Sequence, residues 1–566
     1  MKTATILFAA VLCAQHLLAA NFYLDAASMA AGPDGSAARP WRTVEQMQHA
    51  LAERPDGGGG SVVRIAPGEY GDYIEGVLPK ADAEFDVQRR TPKRDDWLRL
   101  EAADMTRPPV FRFVQVYNNR DARVHLHGLA FHSRPPHRNS ALVHLRMAAH
   151  LRFTDCSFSA DDDESDLPAA VYAATEVTDL TFERCRIRGT GIGIAAGAER
   201  FVVRDCELSD LAGSALMIGH NGRDVLLEGN YIHHQRPRIV RLFLVGPRTV
   251  PVQRGDRLVQ EETGAEGVVY SVREDRIEVT PPNKVRILFA PSRAVRQANG
   301  AEALGPLTDV LPSDLSHGSG LSIRCSDLTA RNNVIHNYGS TAAIFVYPNS
   351  AVPRHAYRNI TIENNLIFDP LTRHVVVNQP GENIVVRNNT VPHGDIQFYP
   401  AEGRDLSGVT VVNNICTGLL SMTAESLPTL RASYNIVHWV MSRQPRQTHR
   451  SFDAFPGMWF VPEDDAGRRA FAELFVDFEA RDFRLREGGR AVGFGMAGSA
   501  PATDLRGQAR RDPPDAGALA IGGDPVRLTP PLGPMPRTDW RASSRQRRPY
   551  SQCSSIRQSS SAFRGR

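Results

Sequence analysis

ARNNVI (330–335), IENNLI (362–367) and VRNNTV (386–391) are three copies of one phrase: an alternating apolar-polar start, an Asn-Asn pair, and a second short apolar-containing stretch. Working outward, the same phrase recurs as VNNIC (412–416), LEGNYI (227–232), VRDCEL (203–208), FERCRI (182–187), FTDCSF (153–158) and LHGLAF (126–131). One column of this alignment reads Leu129, Cys156, Cys185, Cys206, Asn230, Asn333, Asn365, Asn389 and Asn414, with steps of 27, 29, 21, 24, 103, 32, 24 and 25 residues. A repeat of about two dozen residues, too short to bury its own apolar face, must stack on its neighbours. Leucine-rich repeats share the period, but their LxxLxL spacing is absent and the connecting loops vary freely in length. The pattern therefore predicts an all-β chain folded as a right-handed parallel β-helix, with the Asn column as an inward amide ladder. Cys156, Cys185 and Cys206 are expected as small buried rungs of that ladder, since stacked parallel positions suit disulfide geometry badly.

The 103-residue step exceeds one coil by about 80, so 240–312 must leave the solenoid; its alternating, Gly-punctuated sequence predicts a small inserted β-domain. Residues 21–239 and 313–523 then form the two parts of the coil. Residues 1–20 read as a secretory signal, with Lys2 before an apolar run that Gln15 and His16 interrupt, and imply a secreted or periplasmic protein that is off the membrane once the signal is removed. The Arg-, Ser- and Pro-rich stretch 524–566 is expected to be disordered.

The chain has 566 residues, 66 basic against 63 acidic side chains, and a net charge of +3. So balanced a charge argues against nucleic acid as a partner. Only Lys2, Lys80, Lys93 and Lys284 are lysines, so the positive charges are nearly all guanidinium groups, which are poor proton carriers.

The opening, FYLDAASMAAGPDGSAARPWRTVEQMQHAL (22–51) followed by GSVVRIAPGEYGDY (60–73), resembles the start of secreted right-handed β-helix proteins of the pectate-lyase-like superfamily. That resemblance implies an N-terminal capping helix over 41–52, and TDLRGQARRDPPDAGAL (503–519) is similar to the closing segment of such proteins.

A second family of aligned strands follows each ladder turn: GIGIA (191–195), ALMIG (215–219), GLSIR (320–324), AIFVY (343–347), HVVVN (374–378) and DIQFY (395–399). Their second and fourth residues are apolar and should point inward, leaving the first, third and fifth outside. With coils about 4.8 Å apart, His374 and Asp395 should be neighbours on a cleft floor shared with Arg324, Phe345, Tyr347, Asn378, Gln397 and Tyr399. Loops feeding these strands add His233, His234, His317, His336 and His393, so that many of the histidines are expected to converge on one region around and after the insert.

The superfamily resemblance implies an extended, acidic polysaccharide as partner and β-elimination as chemistry. Only Asp395 lies on these six strands and no lysine lies in the aligned coils, so neither a carboxylate-bound metal nor a lysine base is expected, and no cofactor is called for. The expectation is a monomeric, metal-independent polysaccharide lyase. In it Arg324 neutralises a uronate carboxylate, His374 held by Asp395 is the base, and Tyr347, His317 or His336 supplies the acid. Asn378, Gln397, Tyr399, Phe345, His393 and His233 are expected to bind substrate. VPHGD (391–395) is similar to the Asp-Pro-His-Asp motif of alginate C5-epimerases, with Val391 for the first Asp and one more residue between His393 and Asp395. Glycoside hydrolysis by Asp395 with Asp314 or Asp369, and non-catalytic carbohydrate binding or adhesion, are the alternatives.

Overall fold

The computed structural model describes residues 20–526 except 77–93, 135–139, 161–167, 175, 221, 236–238, 246–249, 264, 274–275, 281–288, 299–302, 314–317, 340, 348–356, 370–373, 401–404, 445, 450–454 and 456. Nearly all of the proposed signal, His317, Asp314 and residues 527–566 lie outside the described residues. Among the described residues no helix is long and apolar enough to cross a membrane.

The chain divides into two units, one of 1–238 with 314–531 and one that contains 239–313. The first is a parallel β-helix of three faces, with the right hand that parallel crossovers take. The first face runs from Asn21–Leu24 to Arg431–Ser433, each strand pairing in parallel with the strand one coil away. The second face holds the short strands that follow the ladder turn, such as Tyr231–His233, Val334–His336 and Leu366–Phe368. The third holds the GLSIR-type strands, with Ser319–Ile323, Ala342–Val346, Val375–Asn378 and Thr390–Tyr399 in continuous register.

Three apolar faces looking inward make one core. Phe153 and Phe182 of successive coils stack at 4.7 Å, and Ile362, Val386 and Val411 continue the same face fully buried. Between first and second faces the chain turns through a left-handed residue in each coil from Gly128 to Tyr434, among them Asp155 (φ 55°), Asp205 (54°), Gly229 (67°), Asn332 (58°), Asn364 (54°) and Asn388 (52°). Asn and Asp tolerate this conformation better than other residues with a Cβ, which explains their recurrence.

The next residue of each turn points inward. The amides of Asn230, Asn333, Asn365, Asn389, Asn414 and Asn435 are completely buried, and each Nδ2 donates to the Oδ1 of the next at 2.9 Å. Each Oδ1 also accepts the backbone N–H of the preceding rung, as from Asn365 to Asn389 at 3.0 Å. Cys206 takes over as the ladder passes to smaller residues, its N–H donating to Asn230 at 3.1 Å, and Cys156, Cys185 and Cys206 are free and buried.

The outward residue of the Asn-Asn pairs has a different task. Asn364 Nδ2 donates to the carbonyl of Thr503, Asn388 Nδ2 to that of Asp515, and Asn413 Nδ2 to the hydroxyl of Ser499. These amides hold the closing segment, which folds around two buried carboxylates. Asp504 accepts the N–H groups of Arg506, Gln508 and Ala520, and Asp515 those of Gly493 and Ile521. With the helix Asp465–Ala472 and the hairpin Phe475–Asp477 with Asp482–Leu485, this segment covers the outside of the second face around Val334, Leu366, Phe368 and Ile415.

At the other end the helix spans Val44–Ala52, three residues later than expected, because Thr43 takes the N-cap and accepts the N–H of Gln46. Trp41 stays extended and stacks on Phe22 at 5.0 Å. Inside the first coils Arg94 and Glu75, both 3% exposed, form an ion pair at 2.7 Å that Tyr73 and Asn119 complete with hydrogen bonds to the carboxylate. The second unit is a closed antiparallel barrel of six strands from Ile239–Leu244 to Ala303–Ser313, filled by Leu242, Leu258, Val279, Phe289 and Leu307.

Two stability outcomes follow. Asn389→Ala strips an acceptor from two buried donors of Asn365, which should cost about 3 kcal/mol and lower the urea midpoint. Glu75→Ala leaves the Arg94 guanidinium buried without its counter-ion and should cost about 3–5 kcal/mol by the same measurement.

Candidate functional site

The outer side of the third face carries the predicted residues in two clusters. Backbone pairs Val375 with Ile396 and Asn378 with Tyr399 put His374 and Asp395 on adjacent coils. Asp395 accepts from Gln397 Nε2 at 3.1 Å through each carboxylate oxygen, and Gln397 Oε1 accepts from the Tyr399 hydroxyl at 2.6 Å. Alternation along one strand places all three outward, so the phenol, amide and carboxylate form a single chain of hydrogen bonds. Beyond Asp395 lies Gly418, whose missing side chain makes room for the indole of Trp439; a Cβ there would meet the ring at 2.4 Å.

His374 departs from the expected outward position. It is only 5% exposed, and its ring lies against Gly394, where a Cβ would fall 1.7 Å from Nδ1. The glycine in VPHGD is therefore a seat for the imidazole, and from this conformation His374 supports the strand carrying Asp395 without meeting solvent.

The second cluster lies earlier on the same face. Arg324 is half-buried with its guanidinium 4.3 Å from the ring centroid of Tyr347, and Tyr347 stacks on Phe345 at 4.6 Å. Burial lowers the pKa of Arg324. Among the described residues no carboxylate pairs with Arg324, and its buried Nε has no hydrogen-bond partner, whereas arginines such as Arg184, Arg200 and Arg387 are tied to Asp or Glu. Counting coils from Arg324 through Tyr347 and Asn378 to Tyr399 gives a separation of about 14 Å along the axis. Arg324 and Asp395 thus address different units of a chain laid along the face.

These columns continue upstream of residue 191, beyond the six strands whose alignment the sequence suggests. Register carries Gln115, His144, Tyr172, Ala195 and Met217 into line with Ser322, and places Arg146 beside Tyr117. The Tyr117 hydroxyl meets His144 Nδ1 at 2.8 Å, Tyr172 packs edge-on to His144 at 5.2 Å and is 44% exposed, and Arg146 pairs with no carboxylate among the described residues. Between this group and Arg324 the outward positions are Ala174, Ala195, Gly197 and Gly219, with Met217 the one larger side chain among them. The legible signal was the same alternation in ALVHLRMAA (141–149) and AAVYAA (169–174).

The remaining predicted residues lie elsewhere. His233 and His336 are 1% and 6% exposed at the corner after the second face, beside His234 and away from the third-face strands. Burial holds His234 down to about 4 and pushes His336 well below the ordinary range, so both rings are neutral at pH 7. His393 packs edge-on to Phe478 at 4.9 Å and faces Asp369 at 3.3 Å. Asp369 is engaged by Arg481 at 2.7 Å, which removes it from any partnership with Asp395. A register shift between Val391 and Asp395 bends the strand, so His393 and Asp395 fall on different faces although two residues apart.

Gly394→Ala should displace the His374 ring and cost about 1–3 kcal/mol as overpacking, read as a lowered melting temperature. The same substitution at Gly71, where a Cβ would meet nothing and the backbone is not left-handed, should cost less and serves as the comparison.

No protein-family model and no curated protein matches the chain. Among solved structures it is similar to a pectate lyase, with 11% identity, a TM-score of 0.41, and 89% of this chain and 97% of that one covered. It is also similar to the A-module of a mannuronan C-5 epimerase from Azotobacter vinelandii (13% identity, TM-score 0.35, 74% and 96% covered) and to an alginate lyase from a Paenibacillus species (13%, 0.32, 63% and 92%). The fold that the register and the amide ladder establish here is a parallel β-helix.

Proposed function

We propose that the chain binds a uronate-containing polysaccharide along the outer third face and cleaves it by metal-independent β-elimination. The observation that carries this reading is Arg324, a half-buried cation without a carboxylate partner among the described residues, lying on the aromatic shelf of Tyr347 and Phe345. A guanidinium so placed suits bidentate capture of a sugar carboxylate, while the flanking rings suit the apolar face of a pyranose.

Three coils away, Tyr399 and Asp395 are the proton-handling pair, linked through Gln397. Elimination breaks the C5–H bond and the C4–O bond of the sugar and forms a C4–C5 double bond. Asp395 is the group to take the C5 proton and Tyr399 the one to protonate the departing oxygen, with Asn378 on the adjacent coil donating to the uronate carboxylate. His374, buried behind Gly394, positions Asp395 rather than touching the sugar. Tyr117, Arg146 and Tyr172 extend the binding surface upstream.

The test is incubation with pectic, alginate and glycosaminoglycan substrates while following the ultraviolet absorbance of unsaturated uronate. Tyr399→Phe should lower kcat by about 10²-fold or more, and Arg324→Gln should raise KM with a smaller change in kcat. New reducing ends without absorbance would replace elimination by hydrolysis. Binding without turnover would favour a carbohydrate-binding solenoid, a reading that the buried His374 and the single outward carboxylate of these strands support.

A further inference from the structure

Away from the third face, three imidazoles converge at one corner of the coil. His233 and His336 sit on adjacent coils, paired in register, with rings nearly parallel at 5.6 Å, and Phe368 continues the stack at 4.8 Å from His336. A stack of that kind requires only two histidines. His234 stands outside it, in a left-handed conformation (φ 53°), and turns its ring edge-on to both others, 4.9 Å from His233 and 5.3 Å from His336. Its Nδ1 lies 2.7 Å from the Nδ1 of His233, and one ligand nitrogen from each of the three rings lies within 4.8 Å of the others.

We propose that His233, His234 and His336 form a binding site for a borderline divalent cation of the Zn²⁺ class. Tetrahedral bonds of about 2.0–2.1 Å place ligand nitrogens about 3.3 Å apart, and here the two closest lie 2.7 Å apart with all three within 4.8 Å of one another. Around the rings the partners are those of a metal site. His233 Nε2 faces the Glu207 carboxylate at 3.4 Å, an arrangement that fixes ring orientation and raises ligand basicity. Arg186 holds Glu207 at 3.1 Å and the Tyr231 hydroxyl meets His336 Nε2 at 2.8 Å, which orients the ring; the longer contact of Asn337 Nδ2 with His336 Nδ1, 3.2 Å, is the one that a cation on Nδ1 would displace. An all-imidazole set selects Zn²⁺ or a neighbouring transition metal over Ca²⁺ and Mg²⁺, which require oxygen ligands.

The placement gives the site a structural role. His233 and His234 end the last strand before the chain leaves the coil for the barrel at Ile239, and His336 lies on the coil formed after it returns. A cation held by all three joins two coils that have no direct covalent connection.

The test uses the full chain, stripped with a chelator and titrated with Co²⁺ alone and then Zn²⁺ alone. One equivalent of Co²⁺ should give the intense visible bands of a four-coordinate site, Zn²⁺ should displace it, and the Zn²⁺ form should melt several degrees higher than the stripped protein. His234→Gln and His336→Gln should each abolish the bands, whereas His374→Gln should keep them. X-ray absorption of the native Co²⁺ form should count three imidazole ligands, a readout that needs no variant to fold. A spectrum remaining that of hydrated Co²⁺, or bands that survive in both variants, would overturn the proposal.

Discussion

Hydrogen bonds between buried side-chain amides are what the whole coil depends on. An Asn side chain in an apolar core costs several kcal/mol unless its donors and acceptor are met. Here each rung satisfies the next at 2.9 Å, receives the preceding backbone N–H, and uses its second proton on a strand carbonyl, as Asn333 does with Leu227. That arrangement works only when successive coils are in register, so the ladder discriminates against slipped stacking in a way that apolar contact alone does not. Where Cys replaces Asn, in the coils of 156, 185 and 206, phenylalanines such as Phe153 and Phe182 fill the core more fully and registration passes to ring stacking.

The same turn divides labour between its two residues. The inward amide builds the ladder, and the outward left-handed one holds the closing segment through Asn364, Asn388 and Asn413. This explains why the pair is Asn-Asn only in the later coils, where that segment lies, and Asp-Cys, Arg-Cys or Gly-Asn in several coils before it. Covering the second face with the closing segment leaves the third face as the surface on which register lines up chemically distinct side chains. Asp395, Gln397 and Tyr399 become a connected chain because they alternate on one strand, and Arg324 meets Tyr347 because one coil separates them.

How far the site was legible follows from the same physics. Alternation correctly assigns the inward partners Ile396 and Phe398 and the outward Gln397 and Tyr399, because a strand has a period of two. It fails for His374, where Gly394 on the next coil opens a space that the ring fills, and this depends on a contact between chain segments twenty residues apart. It fails for His393 because a register shift turns the strand between faces. The nearness of His233, His234 and His336 follows from the repeat even across the excursion through a separate barrel, but their expected place beside the third-face cleft does not, since the register seats them at the end of the second-face strands.

By itself the sequence determined the repeat, the amide column and the buried cysteines, because each is a local pattern repeated at one period. Tertiary structure alone decided which outward side chains are open to a ligand, which are seated in a neighbour's missing side chain, and which arginines lack a carboxylate. Those outcomes depend on the width of a turn and the size of the residue one coil away, quantities that no single stretch of chain contains.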